Sequence, residues 1–172
     1  TINYDGQLTN QQGLHSLWES MIPELEMEQY NLHSGHKVRY LRNPIKDVFR
    51  AIKRAHELVP TMLAKEVETS LAFNDSTKYR YQMRNGKQSR SYTTAFAKAY
   101  SEKLQPTINQ QLLHSADMIA DFWYTAWVDA GKPNLSGITN WSPEKKEQYA
   151  TEQAAYQSNS LIKENLLEAR KK

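Results

Sequence analysis

The longest helical pattern in the chain is TINQQLLHSADMIADFWYTAWVDA, residues 107–130. Its apolar side chains recur every three or four residues, the spacing that places them along one face of an α-helix. They are Ile108, Leu112, Ala116, Ile119, Trp123, Ala126 and Trp127. Gly131 and Pro133 follow at once and end the pattern, as is usual beyond a helix C-terminus. We therefore predict a helix over residues 107–130 whose aromatic residues, densest over 121–127, pack in the core.

Similar patterns predict helices on both sides of this one. Asn43 before Pro44 and Ser142 before Pro143 are typical of an N-cap followed by proline in the first turn. Further helices are expected over residues 11–21, 44–59, 63–72, 91–104 and 142–167. Residues 31–43 are predicted to form a connection, and residues 73–90 an irregular segment in which the turn pair at 85–86 allows a short hairpin.

The composition agrees with a helical protein. Among 172 residues there are only 6 glycines and 6 prolines, few for a fold rich in turns. We predict an all-α, multi-helix bundle, which is one domain or part of a larger one. We divide it into residues 1–141, a portion of a helical domain, and residues 142–172, an amphipathic helical tail.

Several classes of site and segment are excluded by the sequence. There is no cysteine, so disulfides, thiolate metal sites and cysteine nucleophiles are ruled out. No apolar run is long enough to span a membrane, and no signal peptide is present in these residues. A first residue Thr1 instead of methionine leads us to expect a processed or truncated chain.

A histidine and a glutamate near the start of the chain have the spacing of metal ligands. His15 and Glu19 are four residues apart, so in a helix both side chains project from the same face. An imidazole nitrogen and a carboxylate oxygen at this spacing can bind one divalent metal, usually zinc. Leu14 and Leu17 would hold this helix on the core. A purely structural pair is the alternative, because such spacings also occur by chance.

The other histidines suggest less. His33 and His36 flank Gly35 in a polar stretch, which favours a flexible loop over a metal site. His114 and Asp117 are three residues apart in the long helix, where a surface pair is the simpler interpretation.

The segment that contains His15 resembles part of a known superfamily. Residues 3–7 read NYDGQ, and residues 13–19 read GLHSLWE after Asn10. Together they resemble the last metal-ligand segment of the superfamily that contains the bacterial zinc-dependent phospholipases C and the single-strand-specific nucleases. Residues 121–133, DFWYTAWVDAGKP, are similar to a late helix of its bacterial nuclease-like members.

The resemblance implies a mostly helical fold with three zinc ions in a cleft that cuts phosphodiester bonds. It implies that His15 and Glu19 are zinc ligands, that Tyr4 and Asn10 line the substrate site, and that the intact protein is secreted or periplasmic. At the position of Glu19 the nucleases usually have Asp. Glu at this position is closer to the phospholipase pattern. Both single-stranded nucleic acid and phospholipid therefore remain possible substrates.

The other zinc ligands of the superfamily belong to segments that would precede Thr1. We therefore expect this chain to be the C-terminal part of such an enzyme, inactive alone, with the missing N-terminal part of the same protein as its partner. The alternative is a non-enzymatic helical interaction module. Such a module would bind its partner through the tail or through a basic and aromatic patch. The simpler interpretation of this patch is a solvated loop. The patch consists of Lys78, Tyr79, Arg80, Tyr81, Arg84, Lys87, Arg90 and Tyr92.

Overall fold

The structure, a computed structural model, describes residues 9–84, 86–138 and 140–167, without the side chains of Arg84 and Lys87. This part of the chain is mainly helical, as predicted. Its longer helices are α3 (Pro44–His56), α4 (Val59–Ser70), α6 (Thr94–Leu104), α7 (Thr107–Asp129) and α8 (Pro143–Gln157). Its shorter helices are α1 (Leu14–Ser16), α2 (Ile22–Glu26) and α5 (Asp75–Lys78), and its strands are β1 (Tyr79–Arg84) and β2 (Lys87–Tyr92).

The first helical segment changes its geometry in the middle. A π-helical turn, Leu17–Met21, joins α1 to α2, and in it the N–H of Ile22 donates to the carbonyl of Leu17. Pro23 gives a physical reason for this turn. Proline has no N–H for the Glu19 carbonyl, and its ring would clash with that carbonyl in a regular α-helix. Pro23 therefore does not end the helix, which continues in α2 and then in a 3₁₀ turn, Met27–Gln29.

The two strands form an antiparallel hairpin, so the prediction of an all-α fold is correct only as a mainly helical one. Tyr79 pairs with Tyr92 and Arg84 with Lys87, and Gly86 has a φ of 72° in the turn. The strand pattern also takes Ser91 and Tyr92 out of the helix predicted over 91–104. That helix begins at Thr94 because the Thr93 hydroxyl caps it by accepting the N–H of Phe96.

The chain divides into two compact units. Among the described residues, the first unit consists of those up to Met27 together with Arg54–Ile108. The second consists of Glu28–Lys53 together with those from Asn109 to Leu167. Each unit therefore joins segments that are distant in sequence.

Aromatic rings fill the core of the first unit. Tyr92 stacks on Phe96, with ring centroids 4.9 Å apart, and Phe96 stacks on Tyr100 at 6.2 Å. Phe96 and Tyr100 are fully buried, and their spacing of four residues places them on one face of α6. Leu14 and Leu17 are also buried, so the apolar side of the first helical segment contacts the core as predicted.

The second unit is held together by polar contacts along α7. Residues 31–43 contain no helix or strand, as expected for a connection. The backbone N–H of Leu41 donates to the Thr125 hydroxyl at 2.9 Å, and the N–H of Arg39 donates to the Asp121 carboxylate at 2.9 Å. Asp121 and Thr125 are buried, one helical turn apart.

Ile108 is buried as predicted, but beyond it the buried face of α7 is not the predicted one. Of the apolar positions expected in the core, Ile119 is 52% exposed and Trp123 is 75% exposed. Asp121 and Thr125 occupy the buried face instead, where they accept the backbone N–H groups of Arg39 and Leu41. The N–H of Leu41, which is 2% exposed, would otherwise be buried without a partner.

The last helix also ends earlier than predicted. α8 begins where expected, with the Ser142 hydroxyl accepting the N–H of Lys145, but it ends at Gln157. Asn159 has a φ of 54°, its N–H donates to the Tyr156 carbonyl, and the N–H of Ser160 donates to the Ala155 carbonyl. This is a Schellman motif, which closes the helix before the apolar residues at 161–167.

Among the described residues, no helix combines the length and the apolar character needed to cross a lipid bilayer.

Candidate functional site

His15 and Glu19 come together on the first helical segment. The Nδ1 atom of His15 lies 3.1 Å from Oε1 of Glu19. The His15 side chain is 23% exposed and that of Glu19 is 59% exposed, so solvent reaches both. Leu14 and Leu17, which are buried, fix the helix from its other side. Glu19 lies within the π-helical turn, a distortion often found at functional sites.

The separation of these two donor atoms fits a shared zinc ion. Two ligands of a tetrahedral zinc, each bound at its usual length, lie about 3.3 Å apart. The observed 3.1 Å is close to that value. A hydrogen bond between the same two groups has a similar length, so the distance fits zinc without requiring it.

The described residues supply only these two donors. No group of three or more His, Cys, Asp or Glu side chains placed to hold a metal is found in residues 9–84, 86–138 and 140–167. Asn10 is exposed and has a φ of 58° in the turn before Gly13, and Tyr4 lies outside the described residues. Their predicted contribution to a substrate site stays a prediction.

A second polar group, the Glu66 cluster, lies inside the first unit. It consists of Gln11, Glu66, Ser70, Lys78 and Tyr92. Glu66 is only 1% exposed. It accepts a hydrogen bond from the Gln11 side-chain amide and one from the Tyr92 hydroxyl at 3.3 Å, and it forms an ion pair of 2.6 Å with Lys78. The Lys78 ammonium also donates to the Ser70 hydroxyl at 2.7 Å.

Burial in this cluster changes the acidity of its neighbours. Desolvation, followed by the negative charge of Glu66, raises the pKa of the Tyr92 hydroxyl well above its ordinary value. The same two causes raise the pKa of the Tyr100 hydroxyl, which donates to the Met62 carbonyl at 2.9 Å. Both hydroxyls therefore stay protonated donors at neutral pH. Their role is to donate hydrogen bonds within the first unit, from Tyr92 to Glu66 and from Tyr100 to the Met62 carbonyl.

The basic and aromatic patch predicted from the sequence is largely a hairpin. Lys78 belongs to the Glu66 cluster, with its ammonium 5.1 Å from the Phe96 ring centroid. The Arg90 guanidinium lies 4.2 Å from the Tyr79 ring centroid and donates to the Gln12 side-chain carbonyl at 3.1 Å. These two cations are thus engaged in contacts within the first unit.

A third polar group, the Asp121 cluster, consists of His36, Arg39 and Asp121 in the second unit. Nε2 of His36 lies 2.7 Å from Oδ1 of Asp121, and Nε of Arg39 donates to Oδ2 at 3.1 Å. Burial raises the pKa of Asp121, but the hydrogen bonds and positive charge of His36 and Arg39 outweigh it, so the net pKa lies below its ordinary value. Ser34 is tied to the same helix, since its hydroxyl donates to Asp117 at 2.5 Å.

His36 therefore anchors residues 31–43 to α7, whereas the sequence suggested a flexible loop around Gly35. His33 also packs against a ring, with its centroid 4.9 Å from that of Tyr156. Asp117, predicted to pair with His114 on the surface, accepts from Ser34 instead.

Glu66 and Asp121 were not among the residues predicted to form a site. A signal exists for Glu66, because it is the one charged residue among its neighbours on that helix face, Met62, Leu63, Thr69 and Ser70. Asp121 gives no such signal, because Asp117 lies one turn before it on the same face. A charged residue on such a face indicates a buried partner of opposite charge. The partner itself cannot be read from the sequence, because Lys78 and Arg39 lie in other segments.

No protein-family model, no curated protein and no solved structure matches this chain.

Proposed function

We propose that this chain contributes two ligands, His15 and Glu19, to the zinc site of a phosphodiester hydrolase of the phospholipase C and single-strand nuclease type. The observation that carries the proposal is the 3.1 Å approach of His15 Nδ1 to Glu19 Oε1 on a solvent-accessible helix face. The resemblance of residues 3–19 to a ligand segment of that superfamily gives the class of reaction.

The proposed reaction adds water across a phosphodiester. A water oxygen bonds to phosphorus, the bond from phosphorus to one ester oxygen breaks, and the departing oxygen takes a proton. Bound zinc supplies the charge that polarises the phosphate and makes a water molecule acidic near neutral pH. For this purpose His15 must be neutral and Glu19 ionised, because only those forms donate electron pairs to a metal.

The site needs more ligands than His15 and Glu19. A catalytic zinc ion usually has three protein ligands and one open position. In the proposal the remaining ligands come from residues outside those described, including any that precede Thr1 in a longer form of the protein. The chain alone is then inactive, and its partner is that other segment.

The first test measures zinc binding by calorimetry on the chain without an affinity tag. We expect one zinc per chain, bound weakly. His15→Ala and Glu19→Gln should each lower the affinity by at least about tenfold, because changes even to groups that only orient metal ligands have effects of this size. His114→Ala is the matched control, since His114 is an exposed histidine on another helix. Equal zinc affinity in His15→Ala and the unchanged chain would refute the assignment of the ligands.

The second test measures hydrolysis by the full gene product, with and without a chelator. Single-stranded nucleic acid and a phosphocholine lipid are the two substrates, and they decide between the nuclease and the phospholipase class. A full gene product that cleaves neither substrate would contradict the enzymatic proposal. It would favour the alternative of a helical interaction module in which His15 and Glu19 are structural.

A further inference from the structure

Helix α3 carries an apolar stripe that faces solvent. Ile45, Phe49 and Ile52 recur at intervals of four and three residues, which places them in a line along one side of the helix. They are 71%, 66% and 56% exposed, and no residue of α3 is buried. The half-buried residues of this helix include Asp47, Val48 and Ala51, so its attached side is a different one. Three large apolar side chains in one exposed line indicate a surface for a partner.

Cations border this stripe. Lys46 and Lys53 each follow a stripe residue by one position, about 100° around the helix. Arg50 and Arg54 lie further round the same polar side. The single acidic residue of α3, Asp47, is ion-paired with Arg50. The polar side of the helix is therefore basic.

We propose that α3 docks on an anionic lipid surface. Ile45, Phe49 and Ile52 enter the boundary between headgroups and acyl chains, and Lys46 and Lys53 meet the lipid phosphates. A helix with one apolar face, a basic polar face and low mean hydropathy is the type that lies in a membrane interface. With 13 residues, α3 lies in the plane of the surface, because a spanning helix needs about 20.

Charge favours a lipid surface over a second copy of this chain. Two copies joined through this stripe would bring the lysines and arginines of both helices together, and like charges at close range oppose association. Anionic headgroups attract the same cations. The proposal depends neither on zinc nor on the phosphodiesterase activity.

The test is sedimentation of the chain with vesicles. Vesicles of equal parts phosphatidylcholine and phosphatidylglycerol should bind it, and vesicles of phosphatidylcholine alone should bind far less. Phe49→Ala should weaken binding by about tenfold or more, as expected for loss of a buried aromatic side chain. The pair Lys46→Gln and Lys53→Gln should weaken it by about fivefold for each lysine, and added salt should weaken it further.

Matched controls separate this surface from the rest of the molecule. Leu71→Ala removes an apolar side chain that is 84% exposed at the end of α4. The pair Lys145→Gln and Lys146→Gln removes two exposed lysines from α8. All these variants should bind vesicles as the unchanged chain does.

Three results would overturn the proposal. The first is equal binding to anionic and neutral vesicles. The second is full binding by Phe49→Ala when circular dichroism shows its helix content unchanged. The third is self-association, found by analytical ultracentrifugation and abolished by Phe49→Ala, without vesicle binding. A chelator should leave vesicle binding unchanged, so failure of the zinc proposal would leave this result standing.

Discussion

At the scale of single residues, the first unit depends on a carboxylate without access to water. Glu66 is 1% exposed, and its ion-pair partner Lys78 has a side chain that is 14% exposed. Transferring both charges out of water costs free energy, which their attraction and the hydrogen bonds from Gln11 and Tyr92 offset. Removing one partner leaves the other charge buried and alone.

Glu66→Ala should therefore destabilise the protein strongly. We expect a loss of about 3–5 kcal/mol in the free energy of unfolding, the usual result of breaking a buried ion pair. Urea denaturation followed by circular dichroism measures it. Glu68→Ala is the control on the same helix, because exposed Glu68 also pairs with lysines, Lys65 and Lys103. The loss there should be much smaller, and equal losses in both variants would contradict this account of Glu66.

At the scale of elements, the start of the first helical segment depends on one glycine. Gly13 has a φ of 82°, a left-handed conformation that other residues adopt only at a cost. A Cβ atom at this position would lie 3.5 Å from the Tyr92 ring, an ordinary van der Waals contact, so the cost comes from the backbone conformation. This conformation turns the chain so that Leu14 and Leu17 reach the core.

Gly13→Ala should destabilise the protein by about 1–2 kcal/mol, the cost of placing alanine in the left-handed region. Gly35→Ala is the matched control, since Gly35 has no such φ and nothing within 4 Å of an added Cβ. Thermal unfolding should show a lower midpoint for the Gly13 variant alone. If Gly13→Ala unfolds at the same temperature as the unchanged chain, the backbone at residue 13 does not direct this helix.

At the scale of the whole molecule, each compact unit encloses a carboxylate. Glu66 is buried in the first unit, and Asp121 is buried in the second. Much of the apolar surface lies outside both cores, including the α3 stripe and Trp123 on α7. Polar contacts of these two carboxylates join segments that are distant in sequence within each unit.

The stability of the protein should fall in acid in part because of Asp121. Its pKa is lower in the folded protein than the unfolded value of about 4. The carboxylate thus stabilises the fold above the unfolded pKa, and this contribution disappears as the pH falls through the folded pKa. Asp121→Asn should lower the free energy of unfolding by about 1.5–3 kcal/mol at pH 7, as for hydrogen bonds to a charged group.

The difference between Asp121→Asn and the unchanged chain should shrink as the pH falls from 7 to about 2, below the usual pKa of an aspartate. Urea denaturation at a series of pH values measures it. Asp129→Asn is the control, because Asp129 is exposed on the same helix, where it accepts a hydrogen bond from the Tyr40 hydroxyl at 2.9 Å. A difference for Asp121→Asn that stays constant with pH would show that its charge does not matter.

The local chemistry of the chain was enough to predict the starts of α3, α7 and α8, whereas α1, α4 and α6 begin three or four residues from the predicted positions. Asn43, Ser142 and the prolines that follow them lie at helix starts because their effects act within one turn. Phe96 and Tyr100 were predictable as a shared face for the same reason. The hairpin was foreseen only as a minor option, because a polar strand pair has a weak pattern of its own.

The buried networks were not predictable, because each joins distant segments. Glu66 lies 55 positions from Gln11 and 12 from Lys78, and Asp121 lies 85 positions from His36. The early end of α8 was also missed. The leucines at 161–167 continue a helical spacing, but Asn159 takes the left-handed conformation that closes the helix.

The sequence by itself determined a mainly helical fold, the starts of α3, α7 and α8 and the shared face of His15 and Glu19, because these depend on residues within one or two turns. Only the tertiary structure decided which face of α7 is buried and that the α3 stripe is left in solvent. Burial depends on which segments meet, and here hydrogen bonds to Asp121 and Thr125 prevailed over the apolar pattern of the helix.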